Sequence, residues 1–162
     1  MLFRSLPLLH RDHLHQLVDE DSGALGDAER WRYTRAGDLQ VLGRWQPAAD
    51  PSDGAWALTA GLKLPTGTHR LRNAEGVAAE RALQPGTGTT DTVLGASRRQ
   101  VLSLADALNL QLTWQRALGA RDGYRPGDRL DASAGWVHAL TPQWSASLQF
   151  NLGWRGRDRG EQ

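Results

Sequence analysis

The sequence predicts an all-β protein, an antiparallel up-and-down transmembrane β-barrel, here an incomplete, open barrel of about seven strands. Residues 143–155 alternate without a slip. Trp144, Ala146, Leu148, Phe150, Leu152 and Trp154 share one parity, and Gln143, Ser145, Ser147, Gln149, Asn151 and Arg155 share the other. Strict period-two alternation signals a strand with two different faces. A membrane-spanning strand needs roughly 9–11 residues with aromatics near both ends of its apolar face, whereas a soluble sandwich strand is usually about 5–6 residues long. Connection length is the second observation. Short turns at 47–54, 103–106 and 141–142 alternate with long, charged stretches at 19–30, 66–89, 119–128 and from 156 onward. Outer-membrane barrels sort their connections in this way, with short periplasmic turns and long extracellular loops, and a sandwich has no reason to. Composition is the third. Eighteen glycines, seven tryptophans and one methionine suit short strands and turns better than helical packing.

The mean hydropathy is negative and no long apolar run occurs, which excludes a membrane-spanning helix but not a barrel, whose strands are only half apolar. Without cysteine there is no disulfide framework and no thiolate metal site. Eighteen of the nineteen basic residues are arginine, and Lys63 is the single lysine. A GC-rich genome is the bland reading of that bias. With a net charge of +1 and no dense basic run, nucleic acid is not expected as a partner. The apolar core after Arg4 is too short for a signal peptide and contains Pro7. Because an outer-membrane protein is exported, residues 1–162 are expected to be a single barrel domain truncated at the N-terminus. With about seven strands against an even number of at least about 8, truncation at the C-terminus is expected too.

Residues 6–18 read as a weak first strand. Leu6, Leu8, Leu14 and Val18 lie on one parity, and Arg11, His13, His15 and Leu17 on the other. His13 and His15 share a face at spacing two, but His10 faces the opposite way and no further ligand is evident. A metal site is therefore weighed against polar wall residues of a lumen, and no cofactor or metal is assigned. Residues 19–30 read as an acidic loop. The second strand, 37–46, places Leu39, Val41 and Trp45 outward and Asp38, Gln40, Leu42 and Arg44 inward. The third, 55–64, places Trp56, Leu58, Ala60, Leu62 and Leu64 on one face with Thr59, Gly61 and Lys63 on the other. Residues 66–89 read as a loop with a short helix near 74–83. The fourth strand, 90–102, is the least regular, because Arg98 and Arg99 interrupt its far end. The fifth sends Leu108, Leu110, Leu112 and Trp114 out and Asn109, Gln111, Thr113 and Gln115 in. In the sixth, Leu130, Ala132, Ala134, Trp136 and Leu140 oppose Asp131, Ser133 and Gly135. The seventh is 143–155. The sheet is expected to stay open, with its edges at the first weak strand and at residues 143–155.

Two motifs bracket the long loop, GLKLPTG at Gly61 to Gly67 and LQPGTGTTD at Leu83 to Asp91. With AGDLQVLGRW at Ala36 to Trp45, they resemble the outer-membrane channel family described as phenol-degradation meta-pathway or transporter proteins. The likeness covers most of residues 36–154. It implies a Gram-negative outer-membrane barrel that passes small solutes, aromatic ones included, and it brings no catalytic residues.

No enzyme chemistry is expected. Gly86-Thr87-Gly88 is followed by a strand rather than a helix and lacks the lysine of a phosphate loop. Ser133, Asp131 and His138 cannot form a triad on one strand, since His138 points to the opposite face, and no G-x-S-x-G occurs. The inward, lumen-facing candidates are Arg44, Lys63, Gln111, Gln115, Asp131, Gln149 and Asn151, which in a channel would set the electrostatics of the lumen and otherwise form a solvated, unselective interior. Trp45, Trp56, Trp114, Trp144 and Trp154 are the candidate membrane-interface girdle. The expected partners are outer-membrane lipid, lipopolysaccharide contacted by the Arg-rich loops, and a small-molecule solute. Ordinary charged surface loops are the alternative for those arginines. A structural or partner-supporting barrel without transport is the alternative function.

Overall fold

The computed structural model describes residues 1–18, 25–47 and 54–160. Its strands are β1 (Leu2–Ser5), β2 (Leu8–Val18), β3 (Leu25–Ala36), β4 (Leu39–Trp45), β5 (Ala55–Leu64), β6 (Asp91–Val101), β7 (Asp106–Ala117), β8 (Arg129–Ala139) and β9 (Ser145–Arg155). Seven of them form one antiparallel sheet in the order β1-β4-β5-β6-β7-β8-β9, while β2 and β3 pair with each other. β1 and β9 are the two edges of an open sheet.

Residues directly opposite one another in a ladder lie on the same face. From Trp154 the register passes through Leu130, Trp114, Leu94 and Ala60 to Gly43, and from Leu152 through Ala132, Leu112, Ala96 and Leu58 to Trp45. One face is therefore apolar across six strands. The other carries Gln40, Arg44, Thr59, Lys63, Asp91, Ser97, Arg99, Asn109, Gln111, Thr113, Gln115, Asp131, Ser133, Gln149 and Asn151. Burial follows the unusual side. Phe150 and Leu152, on the apolar face, are 67% and 70% exposed, whereas Lys63 and Asp91, on the polar face, are 4% and 2% exposed. A water-soluble sheet hides its apolar face, and this one hides charge.

The rows are also staggered. Trp45 is the last residue of β4, at the turn end, yet its row leaves the sheet at Leu152, close to the loop end of β9. Neighbouring strands thus slip steadily past each other in one direction. Such a slip is the shear that a tilted barrel wall requires.

The N-terminal third departs from the sequence expectation. Residues 6–18 are not a wall strand, and the sheet edge is Leu2–Ser5, paired with β4. Pro7 has no N–H to offer a ladder; its carbonyl accepts from the Gly37 N–H at 2.8 Å, and the chain turns there into β2. Of the expected acidic loop at 19–30, residues 25–30 belong to β3, and 19–24 lie outside the described residues. The turn residues 48–53 and Glu161 lie outside them as well. The helix expected near 74–83 is a 3-10 turn at Arg81–Leu83 preceded by a bridge between Arg72 and Ala78.

The long connections close over the loop end of the sheet. Trp31 and Tyr33 of β3 are buried against the β5–β6 loop, where the indole donates to the Val77 carbonyl at 3.4 Å and the Tyr33 hydroxyl donates to the Leu83 carbonyl. Arg70 on that loop pairs with Asp122 on the β7–β8 loop at 2.6 Å. The β7–β8 loop in turn meets the segment after β9, through reciprocal backbone bonds of 2.8 and 2.9 Å between Arg125 and Arg159.

Gly127 marks how close that last approach is, because a Cβ there would lie 2.1 Å from the Gly156 carbonyl oxygen. Gly127→Ala must push two backbones apart and is expected to cost about 1–3 kcal/mol. Gly119→Ala, with nothing within 4 Å of its Cβ, is the neutral control. Urea unfolding of the two variants checks the difference.

Candidate functional site

At the loop end of the polar face, Lys63 near the top of β5 is buried between two carboxylates. Its Nζ lies 3.1 Å from Asp38 Oδ2 and 2.9 Å from Asp91 Oδ2, and it donates to the Thr87 hydroxyl as well. The ammonium donates hydrogen bonds to Asp38 and Thr87 and pairs electrostatically with Asp91. The carboxylates are held in turn. Asp38 accepts from the Gly67 and Thr87 backbone N–H groups at 3.0 Å each and from the Thr87 hydroxyl at 3.1 Å. Asp91 accepts from the Thr89 hydroxyl at 2.7 Å and the Gln115 amide at 2.6 Å.

The local chain explains why these groups meet. Asp38 precedes β4, Lys63 and Asp91 are directly opposed across the β5–β6 ladder, and Gln115 sits two residues from Ala117, the partner of Asp91. Thr87 arrives from the β5–β6 loop, which folds back over the polar face. Glycines permit that return: a Cβ on Gly86 would lie 2.6 Å from the Gly67 carbonyl oxygen, and one on Gly67 would lie 2.9 Å from the Gly37 carbonyl carbon. Hence both motifs that bracket the loop, GLKLPTG and LQPGTGTTD, end in the same knot.

The remaining sequence candidates lie where their parity placed them, although not all at one site. Arg44, Gln111, Gln115, Asp131, Gln149 and Asn151 are on the polar face with Lys63. Lys63 and Gln115 enter the knot, so Lys63 is a buried structural cation and not a solvated wall charge. Asp131 pairs with Arg129 at 2.7 Å, and Gln149 donates to Asn151 at 2.8 Å. Arg44, Gln111 and Gln149 line a separate hollow of about 570 Å³ toward the turn end, together with Gln46, Arg99 and Asn109. Trp45, Trp56, Trp114 and Trp154 are on the apolar face, and Trp144 lies in the turn before β9. Trp114 and Trp154 sit in one row at the loop end, with Trp45, Trp56 and Trp144 near the turn end.

Reading by parity missed Asp91 and Thr87, which precede or begin β6, and gave Asp38 no role. The signal was present in LQPGTGTTD, a threonine-rich segment that ends in Asp91. The irregularity of β6 also has an explanation. Arg98 does fall on the apolar face, where it lies over the Trp56 ring at 4.9 Å and bonds Gln100 Oε1 at 2.9 Å, so its charge has partners beside a tryptophan. His13 and His15 share the hairpin face that also bears Trp31, while His10, on the opposite face, bonds the Thr34 hydroxyl at 2.8 Å. His138, on the apolar face, bonds Asp106 at 2.8 Å, far from Ser133 on the other face.

Charge also organises the loop cap. Asp158 accepts from the Gly127 N–H at 2.8 Å, the Tyr124 hydroxyl at 2.6 Å and Arg155 at 2.9 Å. Burial works against its ionisation, but these donors outweigh it and hold the carboxyl below its usual range. Burial first, and then the bond to Asp158, push the Tyr124 phenol up to about 12. Asp122 is lowered chiefly by its hydrogen bonds to Arg70.

Compared with models of known protein families and with curated proteins, the chain matches none.

Breaking the knot leaves two buried carboxylates without their cation. Lys63→Met is expected to lose about 3–5 kcal/mol, and Lys63→Arg should not restore it, because a planar five-donor fork cannot occupy a three-oxygen pocket. Denaturant midpoints measure both. The raised phenol gives a second expectation. Folded Tyr124 keeps a proton that the unfolded chain releases near pH 10, so its contribution is whole below pH 10 and lost as the pH rises toward about 12. Tyr124→Phe should remove that part of the alkaline loss while costing about 1–2 kcal/mol at neutral pH. Paired denaturant titrations at neutral and alkaline pH check this.

Proposed function

We propose that this chain is wall and loop of an outer-membrane β-barrel channel of Gram-negative type, passing small polar or aromatic solutes along its polar face. The inverted sheet carries the reading. An apolar face exposed across six strands stays in water only at great cost, whereas in a bilayer it faces hydrocarbon and the polar face becomes the lumen. Dimensions agree. Eleven residues at about 3.3 Å each reach about 36 Å, or about 26 Å across a membrane when tilted by about 45°, against an apolar band of about 25 Å. Tryptophans near both ends of the apolar face suit the two interfaces. The likeness of GLKLPTG and LQPGTGTTD to the phenol-pathway channel family supports the same function, with lipid and lipopolysaccharide as surroundings.

One observation favours the alternative of a barrel that supports a partner without transport: the β5–β6 loop is tied down over the polar face by Thr87 and Gly86. A narrowed lumen and a plugged one differ in conductance. Single-channel recording of the protein reconstituted in planar bilayers is expected to show discrete conductance steps, and their absence from fully inserted protein would establish the plugged form. Insertion itself is read by substitution. Leu148→Arg should cost roughly 2–4 kcal/mol of folding into lipid near the midplane and Gln149→Arg almost nothing; equal costs would sink the assignment of faces.

A further inference from the structure

We propose that the turn end of the polar face is a binding site for a small carboxylate-bearing solute, held by Arg44 and Arg99. The proposal rests on the reading of the polar face as a channel wall and adds to it a chemical class of solute.

It comes from how charge is distributed along the strands. At the loop end, cations on the polar face have carboxylates beside them: Lys63 lies between Asp38 and Asp91, Arg129 is 2.7 Å from Asp131, and Arg155 is 2.9 Å from Asp158. A hollow there of about 380 Å³ is lined by Asp91 and Asp131 as well as by Arg129 and Arg155, so its charges balance. The turn-end hollow is different. Among the described residues its charged lining is Arg44, Arg98 and Arg99, with no Asp or Glu. Arg98 is engaged on the apolar face with Gln100 and Trp56. Arg44 and Arg99 are exposed, and their guanidinium groups have no hydrogen bond or ion pair among the described residues.

Two guanidinium groups on one wall, without partners among the described residues, attract anions, and the planar fork matches a carboxylate through paired N–H donors. Asn109, Gln111 and Gln149 in the same lining supply amides that donate or accept as the rest of the solute requires. A volume of about 570 Å³ is of the size that holds small molecules. A cation entering from the loop end would meet balanced charge and then net positive charge; an anion would meet balanced charge and then two open partners. The polar face therefore favours anions at its turn end.

Two probes of one shape and opposite charge test this, benzoate and benzamidinium, titrated by calorimetry into the full chain in detergent micelles at neutral pH and low salt. Benzoate is expected to bind at least about 10-fold more tightly than benzamidinium, through charge-assisted bonds that added salt weakens. Arg44→Gln and Arg99→Gln should each weaken benzoate at least about 5-fold, whereas Arg129→Gln at the loop end should leave it unchanged. Far-UV circular dichroism verifies each variant's fold, and the probe pair on the unaltered chain tests the site even if a variant misfolds. Equal affinity for the two probes, no binding of benzoate, or an equal loss in Arg129→Gln would overturn the proposal. The channel reading fails separately: benzoate preference without conductance leaves the site standing, and conductance without benzoate preference removes the site alone.

Discussion

A buried ammonium with three oxygen partners holds this structure to its shape. Lys63 is fixed by Asp38 before β4, by Asp91 at the start of β6 and by Thr87 from the loop between, so one side chain joins three separate pieces of chain. A buried charge without partners would be intolerable, and that intolerance makes the knot specific: only the return of the loop to this position supplies the third oxygen. The single lysine among nineteen basic residues occupies the position where a compact, three-donor cation is needed. The geometry of the knot accounts for that lysine among the arginines.

Much of the sheet was legible in the sequence because period-two alternation and face burial are the same fact written twice. β5 and β9 keep an unbroken apolar parity, β7 keeps it from Leu108 to Trp114 and β8 from Leu130 to Trp136, and their ladders align those parities into one face. β6 was legible except at Arg98, whose partner Trp56 lies on the neighbouring strand and is invisible to a pattern read along one strand. The hairpin of β2 and β3 was not legible as such. Its two strands alternate charge with charge, so parity carries no information there, and what decides their pairing is Pro7 and the burial of Trp31 and Tyr33 against a loop far away in sequence.

The candidate site divides in the same way. Parity placed Arg44, Gln111, Asp131, Gln149 and Asn151 on the polar face, since facing is a local property. It could not say which polar residues meet, because Lys63 and Thr87 are 24 residues apart and Arg70 and Asp122 are 52 apart. Long, charged, glycine-containing stretches look like solvated loops when read singly. Their charges are nevertheless spent on one another, from Arg70 to Asp122 and from Tyr124 to Asp158, and the loop end becomes a packed layer.

Gly37, Gly67 and Gly86 have a further consequence. Gly67 and Gly86 lie against backbone and Asp38, and Gly37 against Pro7 and Leu9, where a side chain would collide, so the start and the finish of the β5–β6 loop are clamped to one point beside Asp38. Residues 68–85 between them form a closed excursion that leaves and rejoins the wall at nearly the same place. The register of β5 and β6 is set by their ladder below this clamp, so the excursion is geometrically separable from the sheet: its length is decided above the point where both its ends are already held.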